Sequence, residues 1–397
     1  MKTFEELGVS EEIRRAIAEL GFESPMPVQE EVIPYLLGNK NDVVALAQTG
    51  TGKTAAYGIP VLQKIDPSDR STQALILSPT RELCLQISDD LNDFGKYIGG
   101  LNVVPVYGGT SIQNQIHSLR HGAQVIVATP GRLIDLMNRG AAKLDNVKNV
   151  VLDEADEMLN MGFQEDLDFI LSNTPKDKNT YLFSATMPKE VERIARNYLV
   201  NQKEISVGKK NQGADTVSHQ YYMVRAKDCY ETLRRIVDCS PSMYAIIFTR
   251  TKNDAQDIAK HLQRDGIDCD ALHGDLSQAQ RDNVMNAFRA KRLKVLVATD
   301  VAARGIDVSD VDAVINYDVP SENEHYTHRI GRTGRAKKEG VSYLFYVPEE
   351  KKRVQELLRL TRNTDLCTPV HFDFNHEHIV VEKKQDNADR FQIKCYF

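Results

Sequence analysis

Short apolar runs alternate with longer amphipathic segments along most of the chain. The β-branched and aliphatic runs lie at 42–47, 74–78, 102–106, 123–128, 150–152 and 180–183 in the first half, and at 245–248, 270–272, 294–298, 313–316 and 342–346 in the second half. Segments with apolar residues at helical spacing lie between these runs, as at 54–64 and 81–96. Short buried strands separated by amphipathic helices are typical of parallel β-α units. The pattern therefore predicts an α/β fold with open, doubly wound parallel sheets in both halves.

The length of the chain favours two domains. Its 397 residues exceed the size at which a single hydrophobic core usually stops growing. The segment 208–218 is polar, contains glycine and has no periodicity, which is typical of a linker. We therefore expect an N-terminal domain at 1–207, a short linker at 208–218 and a C-terminal domain at 219–365. The tail at 366–397 has mixed charge and two short β-like runs, and the sequence assigns it no role.

Composition restricts the class of protein and its compartment. Hydrophobic residues make up 41% and charged residues 27% of the chain, as in soluble globular proteins. No apolar stretch approaches the ~20 residues that span a bilayer, and the acidic first residues are unlike a secretory signal. The six cysteines have no CxxC spacing, which argues against a zinc site and a disulfide framework. These features predict a cytoplasmic protein with reduced thiols and no membrane partner.

The net charge of −6 bears on nucleic acid as a partner. Proteins that bind phosphates usually carry a basic surface. A cleft, however, needs only a local row of arginines and backbone amides, so the charge of the whole chain does not exclude nucleic acid.

A glycine-rich segment follows the first predicted strand and opens a helix, and residues 47–54 read Ala-Gln-Thr-Gly-Thr-Gly-Lys-Thr. Glycines let backbone amides approach phosphates at a helix N-terminus. Lys53 would reach the β and γ phosphates of ATP, and the Thr54 hydroxyl would ligate Mg²⁺. The predicted nucleotide-binding residues of this loop are Thr49, Gly50, Thr51, Gly52, Lys53 and Thr54.

Two adjacent carboxylates, Asp153 and Glu154, follow the apolar strand predicted at 150–152. Ligands bind at the carboxyl ends of strands in open α/β sheets. Asp153 would hold Mg²⁺ through water, and Glu154 would orient or deprotonate the attacking water during phosphoryl transfer. We predict both as catalytic, together with Lys53.

Three arginines occur in the segment 328–335, which reads His-Arg-Ile-Gly-Arg-Thr-Gly-Arg. Their spacing suits guanidinium groups placed beside a triphosphate, where arginine stabilises transition-state charge. Read alone, the segment is more typical of a solvated basic loop. Read with 298–308, it predicts a second nucleotide-facing surface, so that the site would lie between domains.

The chain resembles the DEAD-box ATP-dependent RNA helicases from Phe4 to about Arg362. The segments that carry the resemblance are Gly21-Phe22 with Pro25 and Gln29, 47–54, 79–83, 108–109, 129–132, 153–156, 184–186, 247–250, 273–275, Gln278 with Arg281, 298–308 and 328–335. The resemblance implies two tandem RecA-like domains. It also implies that Gln29 recognises adenine, with Phe4 and Phe22 beside the base, and an amide can indeed pair with both N6 and N7. Met26 departs from the family, which usually has threonine there.

Further roles are implied by the resemblance alone. Asp307 would bind the ribose of ATP, and Arg332 and Arg335 would act as arginine fingers. The predicted RNA contacts are Pro79, Thr80, Arg81, Gly109, Thr129, Arg132, Thr249, Arg250, Gly274, Thr299 and Arg304. Independently, Pro79, Thr80 and Arg81 join a strand end to a helix start, where amides, a hydroxyl and a guanidinium can converge on one phosphate. A helix cap is the alternative interpretation of Thr80.

Coupling between the domains is the last implied role. The hydroxyls of Ser184 and Thr186 would link Asp156 to His328 when the domains close. A plain helix cap remains an alternative interpretation of Ser184.

These observations predict an ATP-dependent RNA helicase with ATP and Mg²⁺ as cofactors. It would bind RNA through the sugar-phosphate backbone, open short duplexes or remodel RNA-protein complexes, and hydrolyse ATP faster with RNA. An ATP-gated RNA clamp or annealing factor is the alternative, and a DNA-directed helicase is another. We expect a monomeric core, and a protein partner could bind through the tail.

Overall fold

The computed structural model describes residues 2–38, 42–47, 50–206, 217–303, 308, 311–334, 339–361, 380–385 and 391–396. The chain divides into two compact units, the first made chiefly of residues up to 212 and the second of most residues after it. The predicted linker at 208–218 lies mostly outside the described residues, so its bounds stay a prediction. No helix in the described ranges is long and apolar enough to cross a membrane.

The first unit holds a seven-stranded sheet flanked by helices. Its strands are β1 (Val43–Leu46), β2 (Ala74–Leu77), β3 (Val103–Val106), β4 (Val125–Ala128), β5 (Asn149–Leu152), β6 (Asn179–Ser184) and β7 (Lys203–Ser206). Its helices are α1 (Glu11–Glu19), α2 (Pro27–Gly38), α3 (Lys53–Gln63), α4 (Arg81–Phe94), α5 (Ile112–Arg120), α6 (Pro130–Asn138), α7 (Ala155–Asn160), α8 (Gln164–Ser172) and α9 (Lys189–Tyr198). The strand order is β3-β4-β2-β5-β6-β1-β7, with every pairing parallel.

The second unit holds a six-stranded sheet of the same kind. Its strands are β8 (Val217–Met223), β9 (Ala245–Thr249), β10 (Cys269–Leu272), β11 (Val295–Thr299), β12 (Ala313–Asn316) and β13 (Gly340–Tyr346). Its helices are α10 (Cys229–Asp238), α11 (Lys252–Arg264), α12 (Gln278–Arg289), α13 (Asp300–Ala303), α14 (Asn323–Ile330) and α15 (Lys351–Thr361). The order β10-β11-β9-β12-β13-β8 is again all parallel. In the tail, β14 (Val380–Gln385) and β15 (Phe391–Tyr396) pair antiparallel, where the sequence shows its two β-like runs.

The central strands of the first unit are covered on both faces. Val43 and Ala45 of β1 belong to one apolar cluster, whereas Val44 and Leu46 belong to another. Side chains alternate between the faces of a strand, so a strand that is buried on both faces has to be apolar throughout. This explains why short continuous apolar runs located most strands.

The two strands that the sequence did not predict lie at sheet edges. β7 reads Lys-Glu-Ile-Ser, and only Ile205 in it is buried. β8 reads Val-Ser-His-Gln-Tyr-Tyr-Met, with Val217 and Tyr221 buried and polar residues between them. An edge strand needs little apolar surface, so neither segment forms an apolar run.

Parallel pairing brings the carboxyl ends of all strands in a unit to one edge of its sheet. In the first unit, the order places β1, β6 and β5 side by side, followed by β2, β4 and β3. Loops at the ends of the first three strands therefore neighbour each other, as do those at the ends of the last three.

A buried carboxylate ties together the opposite, amino edge of the first sheet. Asp42 is 4% exposed, and its two oxygens accept hydrogen bonds from the backbone nitrogens of Thr180 at 2.7 Å and Val200 at 2.6 Å. Its own carbonyl accepts from the Lys203 nitrogen at 2.9 Å. One side chain thus joins the starts of β1 and β6 to the segment before β7.

Asp42→Ala should lower the free energy of unfolding by about 2 kcal/mol or more, because two backbone N–H groups lose their only side-chain acceptor. Urea unfolding followed by far-UV circular dichroism would measure the change. Exposed Asp177→Ala is the matched control and should change stability by less than about 0.5 kcal/mol. Equal effects of the two substitutions would contradict this role of Asp42.

Candidate active site and nucleic-acid interface

The predicted phosphate-binding loop opens helix α3. Gly50 and Gly52 have φ angles of 79° and 84°, and Lys53 is the first residue of the helix. A Cβ at Gly52 would lie 2.5 Å from Nε2 of Gln29 and 2.8 Å from Sδ of Met26. Both the backbone conformation and the space therefore require glycine there. Thr49 lies outside the described residues.

Gln29 is buried and contacts this loop. Its Oε1 accepts a hydrogen bond from the Met26 nitrogen at 2.9 Å, and its Nε2 donates to the Gly52 carbonyl at 3.2 Å. The amide thus joins the start of helix α2 to the end of the phosphate-binding loop. Its role in adenine recognition stays a prediction.

Phe4, the predicted base-stacking residue, lies in the hydrophobic core, and the partly buried Phe22 packs against that core. Phe4 is 7% exposed, and its ring centroid lies 6.3 Å from that of Phe22. Phe22 in turn meets Phe94 edge-on at 5.8 Å. Both rings are held in place by packing, and their contact with a base stays a prediction.

A buried ion pair lies at the carboxyl ends of β1 and β5. Lys53 is 6% exposed and Asp153 is 3% exposed, and Nζ lies 4.0 Å from Oδ1. The ammonium makes no hydrogen bond within the described part of the chain. A buried cation without acceptors is costly, so this geometry suits an anionic ligand such as a phosphate.

Two further donors orient the Asp153 carboxylate. The Tyr57 hydroxyl donates to Oδ2 at 2.9 Å, and the Glu154 backbone nitrogen donates to Oδ1 at 3.0 Å. Burial raises the pKa of Asp153, whereas Lys53, Tyr57 and the Glu154 nitrogen act to lower it. Tyr57 is completely buried, and burial together with Asp153 raises the pKa of its hydroxyl well above the ordinary value. This contact could not be predicted from a local pattern, since 96 residues separate the two side chains.

Glu154 has a left-handed backbone, with φ 51° and ψ 53°. This conformation costs a non-glycine residue roughly 1–2 kcal/mol, so it persists only where the surroundings impose it. It falls between β5 and α7, at the position predicted to act on the attacking water. Strain at a predicted catalytic position supports that prediction.

Asp156, Ser184 and Thr186 form the predicted network within the first unit. Oδ2 of Asp156 accepts from the Thr186 nitrogen at 2.9 Å and hydroxyl at 2.7 Å. The Ser184 hydroxyl accepts from the Asp156 nitrogen at 3.3 Å and donates to the Thr186 carbonyl at 2.7 Å. The next helix, α9, begins at Lys189 with Pro188 as its N-cap, so Ser184 does not cap the helix that follows it. The link to His328 in the other unit stays a prediction.

The predicted RNA contacts of the first unit follow β2, β3 and β4, which are neighbours in the sheet. Thr80 caps helix α4 and accepts from the Leu83 nitrogen at 3.3 Å, as in the helix-cap interpretation. The Arg81 guanidinium lies 5.1 Å from the centroid of the Tyr107 ring. Gly109 has a φ of 78° and lies beside Arg81.

Two more of these residues come from helix α6, after β4. Thr129 is its N-cap without a side-chain capping bond. Arg132 donates to the Thr110 carbonyl at 3.2 Å and to Oε1 of Gln115 at 3.1 Å. Gln115 in turn donates to the Tyr107 carbonyl at 3.0 Å. Tyr107 is therefore contacted both by Arg81, through its ring, and by the Gln115 side chain that binds Arg132. Pro79 lies between β2 and Thr80.

In the second unit, the predicted RNA contacts follow β9, β10 and β11, which are again neighbours. Thr249 and Thr299 end paired strands and are 0% and 8% exposed. Arg250 donates from Nη2 to the Val319 carbonyl at 3.3 Å and to Oε1 of Glu350 at 3.4 Å. Gly274 follows β10. Arg304 lies outside the described residues.

Arg329, the first arginine of 328–335 and not one of the two predicted arginine fingers, has a structural role. This side chain is 2% exposed and pairs with both carboxylate oxygens of Asp300, at 2.6 and 2.7 Å. Its Nη1 also donates to Oδ1 of Asn316 at 3.2 Å and to the Asp318 carbonyl at 3.3 Å. Arg329 holds α14 to the carboxyl ends of β11 and β12. The pair could have been predicted from Asp300, because this carboxylate directly follows β11 at the carboxyl edge of the sheet.

Of the remaining predicted residues of the second unit, the structure describes two and leaves two outside the described ranges. Arg332 and His328 are partly exposed at the end of α14. Arg335 and Asp307 lie outside the described residues.

The parallel sheets and the motifs at their carboxyl edges define a tandem RecA-like helicase core. The DEAD/DEAH box helicase family matches residues 26–194, and the helicase conserved C-terminal domain matches residues 228–337. The DEAD-box ATP-dependent RNA helicase CshA of Geobacillus kaustophilus is 46% identical over 400 aligned residues, which cover 100% of this chain and 85% of the relative.

Solved structures agree with this assignment. S. cerevisiae Dbp5 bound to RNA and ADP BeF3 is 32% identical with a TM-score of 0.84, covering 93% of this chain and 96% of that one. DEAD-box helicase Mss116 bound to ssRNA and UDP-BeF is 31% identical with a TM-score of 0.82, covering 91% of this chain and 79% of that one. The chain therefore belongs to the DEAD-box ATP-dependent RNA helicase family. The resemblance, the fold class and the prediction of a helicase enzyme are confirmed.

Tyr57→Phe should lower the rate of ATP turnover about tenfold, because it removes the hydroxyl that orients Asp153 while keeping the ring. Phosphate release would measure the rate. Tyr181→Phe is the matched control, since its buried hydroxyl bonds to Oδ1 of Asn149 at 2.8 Å, away from Asp153. Turnover reduced equally in both variants would show a general loss of packing.

Arg329→Met and Arg332→Met should affect different properties of the protein, the first its stability and the second its ATP turnover. Loss of Arg329 leaves a partly buried Asp300 without its partner and should cost about 3 kcal/mol or more of stability. Loss of Arg332 should leave stability within about 0.5 kcal/mol and reduce turnover. Hydrogen exchange of peptides from the second unit would report the stability, and phosphate release would report the turnover. A stable Arg329→Met variant would refute the structural assignment.

Proposed function

We propose that this protein is an ATP-dependent RNA helicase that binds RNA through its sugar-phosphate backbone. It locally unwinds short duplexes or remodels RNA-protein complexes, and RNA stimulates its ATP hydrolysis. The observation that carries the proposal is the buried pair of Lys53 and Asp153 next to a phosphate-binding loop, where the ammonium has no hydrogen-bond acceptor among the residues that the structure describes. The relatives named for RNA helicase activity, and the structures titled as RNA complexes, support the choice of RNA.

The residues of the first unit suit a Mg-nucleotide. Mg²⁺ prefers hard oxygen ligands and is usually held by one or two carboxylates together with substrate phosphates. Asp153 offers a buried carboxylate, and Thr54 offers a hydroxyl in the first turn of α3. Mg²⁺ bound there would neutralise charge that develops on the phosphates.

The chain's own residues divide the work of hydrolysis. Lys53 binds the β and γ phosphates, and the amides of 49–54 surround them. Glu154 orients the attacking water and accepts its proton. Arg332 and Arg335 supply positive charge to the transition state from the second unit. Gln29, Phe4, Phe22 and Asp307 bind the adenosine part.

RNA would occupy the other half of the carboxyl edge. The residues after β2, β3 and β4 and those after β9, β10 and β11 contact phosphates and sugars, which carry no base code. Binding is therefore largely independent of sequence, and 2′-hydroxyl contacts give the preference for RNA.

ATP and RNA each draw residues from both units in this proposal. Two ligands that favour the same closed state must strengthen each other's binding. The Asp156, Ser184 and Thr186 network would report closure to His328. Cytoplasmic location, a monomeric core and a partner for the tail are further parts of the proposal.

An ATP-gated clamp or annealing factor is the second candidate, because it would use the same residues. A duplex-displacement assay with and without ATP separates the two. Displacement of a short duplex only with ATP supports the helicase, whereas ATP-dependent RNA binding without displacement supports the clamp.

Glu154→Gln should lower RNA-stimulated ATP turnover by about a hundredfold or more, because the amide cannot accept a proton from water. Phosphate release would be measured without nucleic acid, with single-stranded RNA and with the matching DNA. Glu165→Gln on exposed α8 is the control and should keep the full stimulation. Equal stimulation by DNA and RNA would reassign the substrate, and no stimulation by either would reject the proposed coupling.

A further inference from the structure

A basic cavity of about 440 Å³ lies in the first unit, away from every motif residue. It is lined by residues 70–72 before β2, by the last turn of α5 and by residues 139–146 after α6. Ala123 and Ile126, at the start of β4, also line it. The cavity is therefore at the amino edge of the sheet, one strand length from the predicted RNA surface, or roughly 13 Å for four residues.

Cationic side chains dominate the lining. Arg70, Arg120, Arg139 and Lys143 line the cavity, against the single carboxylate of Asp145. Arg139 pairs with exposed Asp135 at 2.7 Å. Arg70, Arg120 and Lys143 are exposed, and within the described ranges they make no ion pair or hydrogen bond. This concentration of positive charge is notable in a chain whose net charge is −6.

Part of the lining, here called the aliphatic wall, is apolar. It consists of Ile116, Leu119, Ala123, Ile126, Ala141 and Ala142. Ser71 also lines the cavity, and its backbone nitrogen donates to Oδ1 of Asp69 at 2.8 Å.

A glycine brings Arg70 to the cavity. Gly122 has a φ of 98°, and a Cβ there would lie 2.8 Å from Cβ and 3.1 Å from the carbonyl oxygen of Arg70. Any larger residue would displace the chain that carries Arg70. The position of this arginine is thus set by close backbone packing.

We propose that this cavity binds a nucleotide unit, with its phosphate at Arg70 and Arg120 and its base against the aliphatic wall. The volume is within the range of small-ligand sites, and arginine offers a planar fork for phosphate. The nucleotide belongs to single-stranded RNA that extends beyond the segment held at the carboxyl edge. The inference rests on the proposed RNA binding for the identity of the strand.

Two RNAs of different length test the proposal. A single strand of about seven nucleotides should fill only the main site, whereas one of about twenty should also reach the cavity. Fluorescence anisotropy would give the affinity of each at several salt concentrations, with AMPPNP and Mg²⁺ present. The variant is Arg70→Gln with Arg120→Gln, and the matched control is Arg196→Gln with Arg264→Gln, which removes two exposed arginines elsewhere.

The variant should bind the long RNA about tenfold more weakly, with a salt dependence that is shallower by about one to two units, and should bind the short RNA normally. The control should match the unmodified protein on both. Failure of the unmodified protein to bind the short RNA would reject the proposed function itself. Normal binding of both RNAs by the variant would show that no RNA strand binds in the cavity. This is also the result expected if the cavity binds an acidic protein segment instead of RNA.

A free nucleotide offers the cavity the same phosphate and base as a nucleotide of RNA, and it has to be tested separately. AMP would be titrated by calorimetry into protein saturated with AMPPNP and Mg²⁺, so that the main nucleotide site is filled. AMP binding that the variant loses, together with unchanged long-RNA binding, would assign the cavity to a free nucleotide. No AMP binding and no effect on the long RNA would overturn the proposal.

Discussion

Parallel pairing of short, fully buried strands is the constraint on which both units depend. Because every strand in a sheet runs the same way, each loop that follows a strand emerges at one edge. The strand order then decides which loops meet. In the first unit, the junction between β5 and β2 divides this edge into the side of Lys53 and Asp153 and the side of Arg81 and Arg132. Asp153 donates its backbone N–H to the Leu77 carbonyl of β2 at 2.9 Å, so the two sides share one ladder of hydrogen bonds. A ligand on either side therefore acts on a common rigid frame.

Buried charge serves different purposes in the two units. Removing ions from water costs several kcal/mol each, and a partner recovers this only with good geometry. Arg329 and Asp300 have that geometry, with paired short contacts and further acceptors on the guanidinium. Lys53 and Asp153 lack it, because 4.0 Å separates their nearest polar atoms and the ammonium has no acceptor in the described part of the chain. The first pair stabilises the second unit, whereas the geometry of the second pair suits an anionic ligand.

Local patterns in the sequence predicted the elements whose signal is local. Apolar runs located the central strands, and the glycine-rich loop located the start of α3. The polar edge strands β7 and β8 were not predicted, since their stability comes from pairing with a neighbouring strand. Contacts between distant segments were also beyond the sequence, such as the Tyr57 hydroxyl on Asp153 or the amide of Gln29 on Gly52. In the motif at 328–335, spacing alone could not show that the Arg329 side chain is buried and pairs with Asp300.

The two edge strands of the first sheet, β3 and β7, disfavour the addition of a strand from another chain. The carbonyls of Asn102 and Val106 accept hydrogen bonds from β4, so the alternate residues of β3, Val103 and Pro105, face away from the sheet. Proline has no N–H, and the free side of β3 therefore offers an incoming chain an incomplete row of donors. At the far side, β7 presents the charged pair Lys203 and Glu204. Both borders are thus poor templates for strand addition, which protects a protein with many short β-prone runs from edge-to-edge aggregation.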